Sequence, residues 1–336
     1  MMPSITAVIL AAGKGTRMKS AKAKVLHQLF FKPMVHHVLD AVVQCRVERT
    51  VLIVGHQQNA VLATLQGYNC IPVEQREQLG TGHAVLCAAE ACANADHVLI
   101  LCGDTPLIES ATLEALINRH LRTEAAITLV TTTLDNPFGY GRIVQDNNQA
   151  VTAIVEQKDA TPDQLHITEI NAGIYLVKRS FLFAALQQVG TNNSQKEVYL
   201  TDIVAIAVRN GLPVQRFSHP RPIDVLGVNS RVELAQAHLE LQMRHNRKLM
   251  LAGVTILHPD TILIAPECSL GQDCILDTGA TVTGTSRLGE NCIIGRGAVI
   301  SNCVLGNGVV VGANAVLENC SIADKEYVPP LVHRVG

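Results

Sequence analysis

Aliphatic residues recur at short, nearly constant intervals through the last quarter of this 336-residue chain. They stand about every six positions, at Leu288, Ile294, Ile300, Leu305, Val311, Leu317 and Ile322. Glycine directly follows four of them, as Gly289, Gly295, Gly306 and Gly312. A unit this short cannot bury its apolar side chains alone, so successive units must stack on one another. The repeat therefore predicts a stack of short coils over residues 253–336.

A small side chain recurs two positions before the aliphatic residues of this segment. Cysteine or alanine fills the position at Cys268, Cys274, Ala280, Cys292, Ala298, Cys303, Ala315 and Cys320. Because a free cysteine packs as a small hydrophobe, this phase indicates an inward-facing position. A zinc site is the alternative, but the spacings follow the repeat and not a metal-ligand pattern. The segment resembles the hexapeptide repeat of left-handed parallel β-helices, in which each coil contains three short strands.

The chain before this segment alternates apolar runs with helical patterns as far as about residue 229. The clearest runs are Ile5–Leu10, Val51–Val54, His97–Leu101 and Ala126–Thr131, and Val35, Val38, Leu39 and Val42 have helical spacing between the first two. Such alternation predicts a mostly parallel sheet with helices on both faces. Ligands then bind beyond the carboxyl ends of the strands.

A capping-box pattern, Ser230-Arg231-Val232-Glu233, separates the two regions. It predicts a long helix that runs to about Leu251 and ends at Gly253. We therefore predict three segments: an α/β domain at 1–229, a linker helix at 230–252 and the repeat at 253–336.

Charge and composition exclude several classes of protein. A formal net charge of −2 argues against a surface for nucleic acid. No apolar run approaches the roughly 18 residues of a membrane span, and no signal segment opens the chain, so we expect no membrane partner and a cytoplasmic protein. The ten cysteines include no Cys-x-x-Cys pair, and we expect reduced thiols.

A glycine-rich turn, Leu10–Met18, follows the first apolar run. Backbone N–H groups of such a turn approach a phosphate closely, and Lys14, Arg17 and Lys24 add positive charge. The turn is not a P-loop, because Thr16-Arg17 follows Gly15, and Met18 stands where a dinucleotide-binding turn has its third glycine. A tight turn without a ligand is the alternative for its glycines alone.

Two further segments carry candidate chemistry. Asp104 follows a strand-like run and Gly103, a position suited to Mg²⁺, although a turn aspartate would look the same. The stretch Gln75–Ala84 follows another short apolar run, Ile71–Val73. A glutamine amide both donates and accepts, so Gln75 could pair with the edge of uracil, whereas a solvated loop before a helix at 83–91 is the alternative.

Several motifs occur together, in one order. They are Leu10–Met18, Lys24–His27, Gln78–Ala84, Gly103-Asp104, Gly139–Ile143, Ile154–Glu156, Glu169–Gly173 and Gly227–Arg231. In this combination they resemble the N-terminal domain of the bacterial N-acetylglucosamine-1-phosphate uridylyltransferases, and the linker helix and β-helix follow in the same positions. The resemblance implies a doubly wound, Rossmann-like nucleotidylyltransferase domain (α/β) followed by a short left-handed parallel β-helix.

The resemblance also implies a site. The nucleotide would be bound by Leu10, Ala11, Ala12, Gly13, Gln75 and Gly80, and the sugar by Thr81, Gly141, Glu156 and Asn171 beside Cys102. Arg17 and Lys24 would bind the phosphates and act catalytically, and Asp104 and Asn229 would hold Mg²⁺. From the residues alone, Asn229 reads as a helix-entry residue before Ser230. Cys102 and Leu226 stand where the family usually has tyrosine and glutamate.

The implied activity is uridylyl transfer from UTP to N-acetylglucosamine 1-phosphate, by a homotrimer assembled through the β-helix. The alternatives are a nucleotidylyltransferase for another sugar 1-phosphate and a non-catalytic nucleotide-sugar sensor. The segment Tyr327–Arg334 departs from the repeat, and we expect no further coils beyond about Ile322 and no acetyltransferase activity.

Overall fold

The computed structural model of the chain describes residues 3–336. It divides into two compact units. One comprises the described residues up to Gln28 together with Lys32–Glu233, and the other comprises Leu29–Phe31 and Leu234–Gly336. The three-segment division made from the sequence, at 1–229, 230–252 and 253–336, stays a prediction.

From Ile5 to Val225 the chain is a mixture of strands and helices, which alternate strictly between Lys32 and Thr133. The strands are β1 (Ile5–Leu10), β2 (Gln28–Leu29), β3 (Lys32–Pro33), β4 (Arg49–Val54), β5 (Ile71–Glu74), β6 (His97–Cys102), β7 (Ile127–Thr133), β8 (Arg142–Gln145), β9 (Val151–Val155), β10 (Glu169–Lys178) and β11 (Val214–Ser218). The helices are α1 (Met34–Val43), α2 (Gln58–Ala63), α3 (Thr81–Cys87), α4 (Ser110–Thr123), α5 (Pro162–Leu165), α6 (Arg179–Leu186), α7 (Asp202–Arg209) and α8 (Pro222–Val225). Short 3₁₀ turns lie at Thr16–Met18 and Lys24–Leu26.

The main sheet has the order β11-β7-β10-β6-β1-β4-β5, with β8 and β9 attached to β10. Strands β1, β4, β5 and β6 pair in parallel, and β10 runs antiparallel between β6 and β7. The carboxyl ends of β1 and β6 are therefore neighbours, since Leu10 pairs with Cys102. This register brings the loops after both strands to one edge of the sheet.

Alternate side chains of β1 enter different cores. Ile5, Ala7 and Ile9 belong to one buried apolar cluster, and Val8 belongs to another. Since successive side chains of a strand point to opposite faces, both faces of the sheet are covered. The predicted doubly wound α/β class is confirmed.

Helix α3 differs from its prediction. It begins at Thr81 and ends at Cys87, rather than spanning 83–91. Beyond Cys87 the backbone changes to tighter turns, in which Ala88 N–H donates to Val85 O at 3.0 Å and Ala89 N–H to Leu86 O at 3.1 Å.

The other unit contains α9 (Arg231–Leu251, whose first residues belong to the α/β unit) and a series of very short strands. These are β12 (Thr255–Ile256), β13 (Leu263–Ile264), β14 (Ser269–Leu270), β15 (Ile275–Leu276), β16 (Thr281–Thr283), β17 (Arg287–Leu288), β18 (Ile293–Ile294), β19 (Val299–Ser301), β20 (Val304–Leu305), β21 (Val310–Val311), β22 (Val316–Glu318), β23 (Ser321–Ile322), β24 (Tyr327–Val328) and β25 (His333–Val335).

Each strand from β12 to β22 pairs in parallel with the strand three places further along, which gives three sheets around one interior. The repeat residues are buried, as Ile294 and Ile300 illustrate at 0% exposure. The small phase is also interior, with Cys292 and Ala298 at 0%. The predicted β-helix is confirmed.

The end of the repeat is a correction. Strands β24 and β25 continue the coil, because Val311 pairs with Val328 and Leu317 with Arg334. The prediction that coils stop at about Ile322 is wrong. Val328 stands six positions after Ile322, keeps the aliphatic phase and is 0% exposed in the core of the β-helix. Arg334 departs from that phase, but its strand still pairs with the preceding coil.

The predicted capping box is confirmed. Ser230 Oγ accepts a hydrogen bond from Glu233 N–H at 3.2 Å, and Glu233 Oε2 accepts from Ser230 N–H at 3.0 Å. Further along α9, the buried amide of Asn246 donates to the carbonyls of Pro259 and Ile262. Within residues 3–336 no helix is both long and apolar enough to cross a membrane.

Candidate active site

The loop after β1 contains the first candidate residues. Gly15 has φ +64°, and a Cβ on it would lie 2.5 Å from Lys24 Cβ, so the loop needs glycine there. Gln78, on a separate loop, donates its Nε2 hydrogen to Ala12 O at 3.0 Å. The loop is thereby fixed against two other segments of the same unit.

Lys24 is the centre of a charged cluster. It is 9% exposed, its Nζ forms an ion pair with Asp104 Oδ2, and it donates to Asn229 Oδ1 at 2.6 Å. The exposed Arg17 donates to the same Asn229 oxygen at 2.7 Å. Gly227, two residues before Asn229, lies close to the Asp104 carboxylate. A Cβ on Gly227 would be 3.2 Å from Asp104 Oδ1. Two cations, one carboxylate and one amide therefore meet at one point.

This cluster fits a divalent cation. Asp104 Oδ2 and Asn229 Oδ1 converge on one cationic atom, the Lys24 ammonium nitrogen. Mg²⁺ takes one or two such protein oxygens and completes its shell with water and substrate phosphates. Residues 3–336 hold no group of three or more His, Cys, Asp or Glu side chains arranged as a metal site.

The loop Gln75–Gly80, predicted to bind the base, is held by contacts between its own residues and the start of α3. Gln75 is 5% exposed, and its Nε2 donates to Gly80 O at 3.1 Å and lies 3.1 Å from His83 Nδ1. Gly80 has φ +110°, and a Cβ there would be 2.6 Å from Val198 O. The close packing of Gly80 against residue 198 holds the Gln75 side chain near the end of β5.

The predicted sugar residues form a second group. Asn171 N–H donates to Gly141 O at 2.9 Å, and a Cβ on Gly141 would lie 3.5 Å from both carboxylate oxygens of Glu156. Burial raises the pKa of Glu156, and the hydroxyl of Thr201 counteracts this by donating to Oε1 at 3.1 Å. Asn171 also donates to the Tyr175 hydroxyl at 2.6 Å.

Two further residues predicted at the sugar, Cys102 and Thr81, line the same cavity as Lys24 and Asp104. The Cys102 thiol lies 3.7 Å from Gly173 O, and burial raises its pKa to about 12, so it is a neutral thiol at neutral pH. Thr81 Oγ1 accepts from Leu200 N–H at 3.2 Å.

A cavity of about 410 Å³ gathers most of these residues. Of the predicted site residues, it is lined by Leu10, Ala11, Ala12, Gly13, Arg17, Lys24, Gln75, Gly80, Thr81, Cys102, Asp104 and Asn229. Gly141, Glu156 and Asn171 are outside its lining, in the second group. The roles of all these residues stay predictions.

Six lining residues were not among the predicted site residues. Five of them belong to motifs already quoted, so those motifs were the available signal: Gly15, Thr16, Val25, Gln78 and Ala84. Glu197 also lines the cavity, and no local pattern marks it. It reaches the site because Val198 N–H donates to Leu79 O at 2.8 Å.

Comparisons with known proteins agree with this geometry. Residues 7–197 match the MobA-like NTP transferase domain, and residues 285–319 match the bacterial transferase hexapeptide repeats. The bifunctional protein GlmU of Desulfotalea psychrophila is 50% identical over 96% of this chain and 95% of its own length. The chain belongs to the GlmU family. It is therefore a nucleotidyltransferase, and the resemblance found in the sequence is confirmed.

Other GlmU relatives are longer. The GlmU of Geobacter metallireducens is 46% identical over 90% of this chain, which spans 64% of that relative's length. A solved structure from Bacillus anthracis, assigned as a glucose-1-phosphate thymidylyltransferase, has a TM-score of 0.58 and 19% identity, covering 70% of this chain and 94% of that one. At this identity the likeness shows the fold alone.

Proposed function

We propose that the chain transfers the uridylyl group of UTP to N-acetylglucosamine 1-phosphate, giving UDP-N-acetylglucosamine and pyrophosphate. A phosphate oxygen of the sugar phosphate attacks the α-phosphorus of UTP. The bond between that phosphorus and the bridging oxygen to the β-phosphate breaks, and pyrophosphate leaves with the electron pair. The attacking phosphate is already ionised at neutral pH, so no general base is needed.

The chain's own cations counter the repulsion between the two anionic substrates. Lys24, held beside Asp104 and Asn229, would contact the phosphates at the reacting end of the cavity. Arg17 is exposed at the same point and would bind the leaving pyrophosphate. Such fixed charges stabilise the charge that develops in the transition state.

Asp104 and Asn229 would hold Mg²⁺, which when bound neutralises phosphate charge. Asn229 is itself fixed, since its Nδ2 donates to Gly227 O at 2.9 Å. The backbone of its neighbour Val228 donates to Asp104 O at 2.8 Å, so the two proposed ligands are tied together.

The observation that carries this proposal is the convergence of Arg17, Lys24, Asp104 and Asn229 in one cavity at the ends of β1 and β6. Its test is a pyrophosphate-release assay with Mg²⁺ across a panel of nucleoside triphosphates and sugar 1-phosphates. UTP with N-acetylglucosamine 1-phosphate should give the highest kcat/KM. Asp104→Asn should lose most of this activity, while Glu114→Gln, an exposed acid on α4, should retain it.

Cys102 supports keeping a second substrate class in the panel. A small, neutral thiol at the cavity wall leaves room that a larger residue would fill. A different sugar 1-phosphate preferred over N-acetylglucosamine 1-phosphate would change the substrate and keep the reaction. No pyrophosphate release with any pair would point to the sensor alternative.

We also propose that the chain is a homotrimer joined through its β-helix. The outward column of the sheet β12-β15-β18-β21-β24 carries Ile275, Ile293, Val310 and Tyr327 in register. Ile293 is 44% exposed and Tyr327 is 59% exposed, so this face is apolar. Light scattering at micromolar concentration should give a trimer, and Ile293→Glu should give a monomer. That the chain lacks acetyltransferase activity stays a prediction, and acetyl transfer to glucosamine 1-phosphate would contradict it.

A further inference from the structure

A short segment of chain, Glu197–Thr201, links the two groups of predicted site residues. We call it the wall segment. Val198 bonds through both its backbone groups, donating to Leu79 O and accepting from Gly82 N–H, each at 2.8 Å. Leu200 N–H donates to Thr81 Oγ1. The wall segment is thereby fixed to the loop Gln75–Gly80 and to the first residues of α3. We call this loop the nucleotide loop, because Gln75 and Gly80 are predicted to bind the nucleotide.

Thr201 is the last residue of the wall segment, and its hydroxyl does not cap the helix that follows. It is 5% exposed and directly precedes α7, where a threonine commonly caps the helix with its hydroxyl. Its side chain makes no cap hydrogen bond. The hydroxyl donates instead to Glu156 Oε1, 3.1 Å away.

We propose that Thr201 is a positioning residue that holds the Glu156 carboxylate in the orientation and charge state needed to accept hydrogen bonds from the sugar. This proposal rests on the proposed function, in which Glu156 binds the sugar ring of N-acetylglucosamine 1-phosphate. The hydroxyl engages one carboxylate oxygen and leaves the other for the substrate. Because the wall segment is hydrogen-bonded to the nucleotide loop, Thr201 also connects Glu156 to that loop.

The charges around Glu156 disfavour its ionised form, and the hydrogen bond from Thr201 opposes them. Asp159, Glu197 and Asp202 are nearby acids that raise its pKa, in addition to burial. Tyr175 and Tyr199 also lie in its electrostatic environment, both with raised pKa values. Among these neighbours, the Thr201 hydroxyl is the group that favours the ionised form.

The test compares Thr201→Val, which keeps the shape and removes the donor, with Thr201→Ser, which keeps the donor. Sugar-phosphate KM, UTP KM and kcat are measured from pH 5.5 to 9. Thr201→Val should raise the sugar-phosphate KM by about tenfold, in line with losing a hydrogen bond to a charged group, and leave the UTP KM within about twofold. The acid limb of kcat/KM should move to higher pH. Thr201→Ser should restore both, and Thr191→Val is the exposed control.

A purely structural role would give a different result. Both KM values would change together with the unfolding midpoint, and the acid limb would stay in place, which would overturn the proposal. An unchanged sugar-phosphate KM would also overturn it. If Thr201→Val does not fold, Thr201→Ala, which adds no bulk, takes its place.

A readout without turnover separates this proposal from the proposed function. The Glu156 carboxyl can be titrated by ¹³C NMR in protein labelled at the glutamate side-chain carboxyl, assigned with Glu156→Gln. Its midpoint should rise in Thr201→Val and stay in Thr201→Ser. Equal midpoints in wild type and Thr201→Val would reject the positioning role. Absence of uridylyl transfer with a shifted midpoint would reject only the substrate assignment.

Discussion

In the β-helix, Ile294 pairs with Val311 on the next coil, a short distance along the chain. In the α/β unit, Lys24 meets Asp104 and Asn229, which lie 80 and 205 residues away. In the β-helix, the phase of a local repeat decides where a side chain lies. In the active site, the strand order of a whole sheet decides it. A substitution should therefore act through packing in the first region and through long-range assembly in the second.

The largest expected effect is at the long-range cluster. Lys24→Met should lower kcat by about 100- to 1,000-fold, because it removes a fixed cation from the reacting phosphates. Lys14→Met is the matched control, since Lys14 is exposed on the same glycine-rich loop and does not line the cavity. Steady-state kinetics measure both. A Lys24 variant that changed only KM would show that the lysine binds the ground state and contributes nothing specific to the transition state.

The β-helix offers the contrasting test with two adjacent residues. Leu305 is 2% exposed and Val304 is 53% exposed. Leu305→Ala should destabilise the β-helix by about 2–5 kcal/mol through a buried cavity, while Val304→Ala should change stability by about 0.5 kcal/mol or less. Urea unfolding measures both. Similar losses at the two positions would show that the phase of the repeat does not decide burial.

This contrast also explains what could be predicted from the sequence. The strand Ile5–Leu10 and the interior position of Cys292 were predictable, because each depends on a local pattern. Individual motifs such as Gly103-Asp104 were ambiguous, and only their combination indicated a family.

Contacts that depend on tertiary structure were not predictable. Glu197 lines the cavity only because Val198 pairs with Leu79, and no spacing shows this. Thr201 looks like a helix cap, yet its hydroxyl bonds Glu156. The coil at β24 and β25 was missed because the polar residues around Val328 hide a buried repeat position, and β25 pairs with the preceding coil although Arg334 stands opposite Leu317.

Glycines give a smaller test of the same contrast. Gly80 and Gly67 both have positive φ, +110° and +90°, so alanine strains the backbone at either. At Gly80 a Cβ would also lie 2.6 Å from Val198 O, whereas at Gly67 nothing lies within 4 Å. Gly80→Ala should therefore cost about 1–3 kcal/mol more than Gly67→Ala in urea unfolding. Equal costs would mean that the wall segment yields easily and does not fix the nucleotide loop.

The smallest expected effect concerns two capping boxes, which are local motifs with different surroundings. Ser230 and Glu233 cap the 21-residue helix α9, and Thr161 and Gln164 cap α5, which has four residues and none buried. Removing a cap costs about 1 kcal/mol where the helix beyond it is packed. Ser230→Ala should lower the free energy of unfolding by about that amount, and Thr161→Ala by only a few tenths, because fraying of α5 exposes no core. Urea midpoints of the two variants decide the matter. A larger loss of unfolding free energy in Thr161→Ala than in Ser230→Ala would contradict this. It would mean that the stability a capping box contributes depends on the motif itself and not on the packing of the helix that follows.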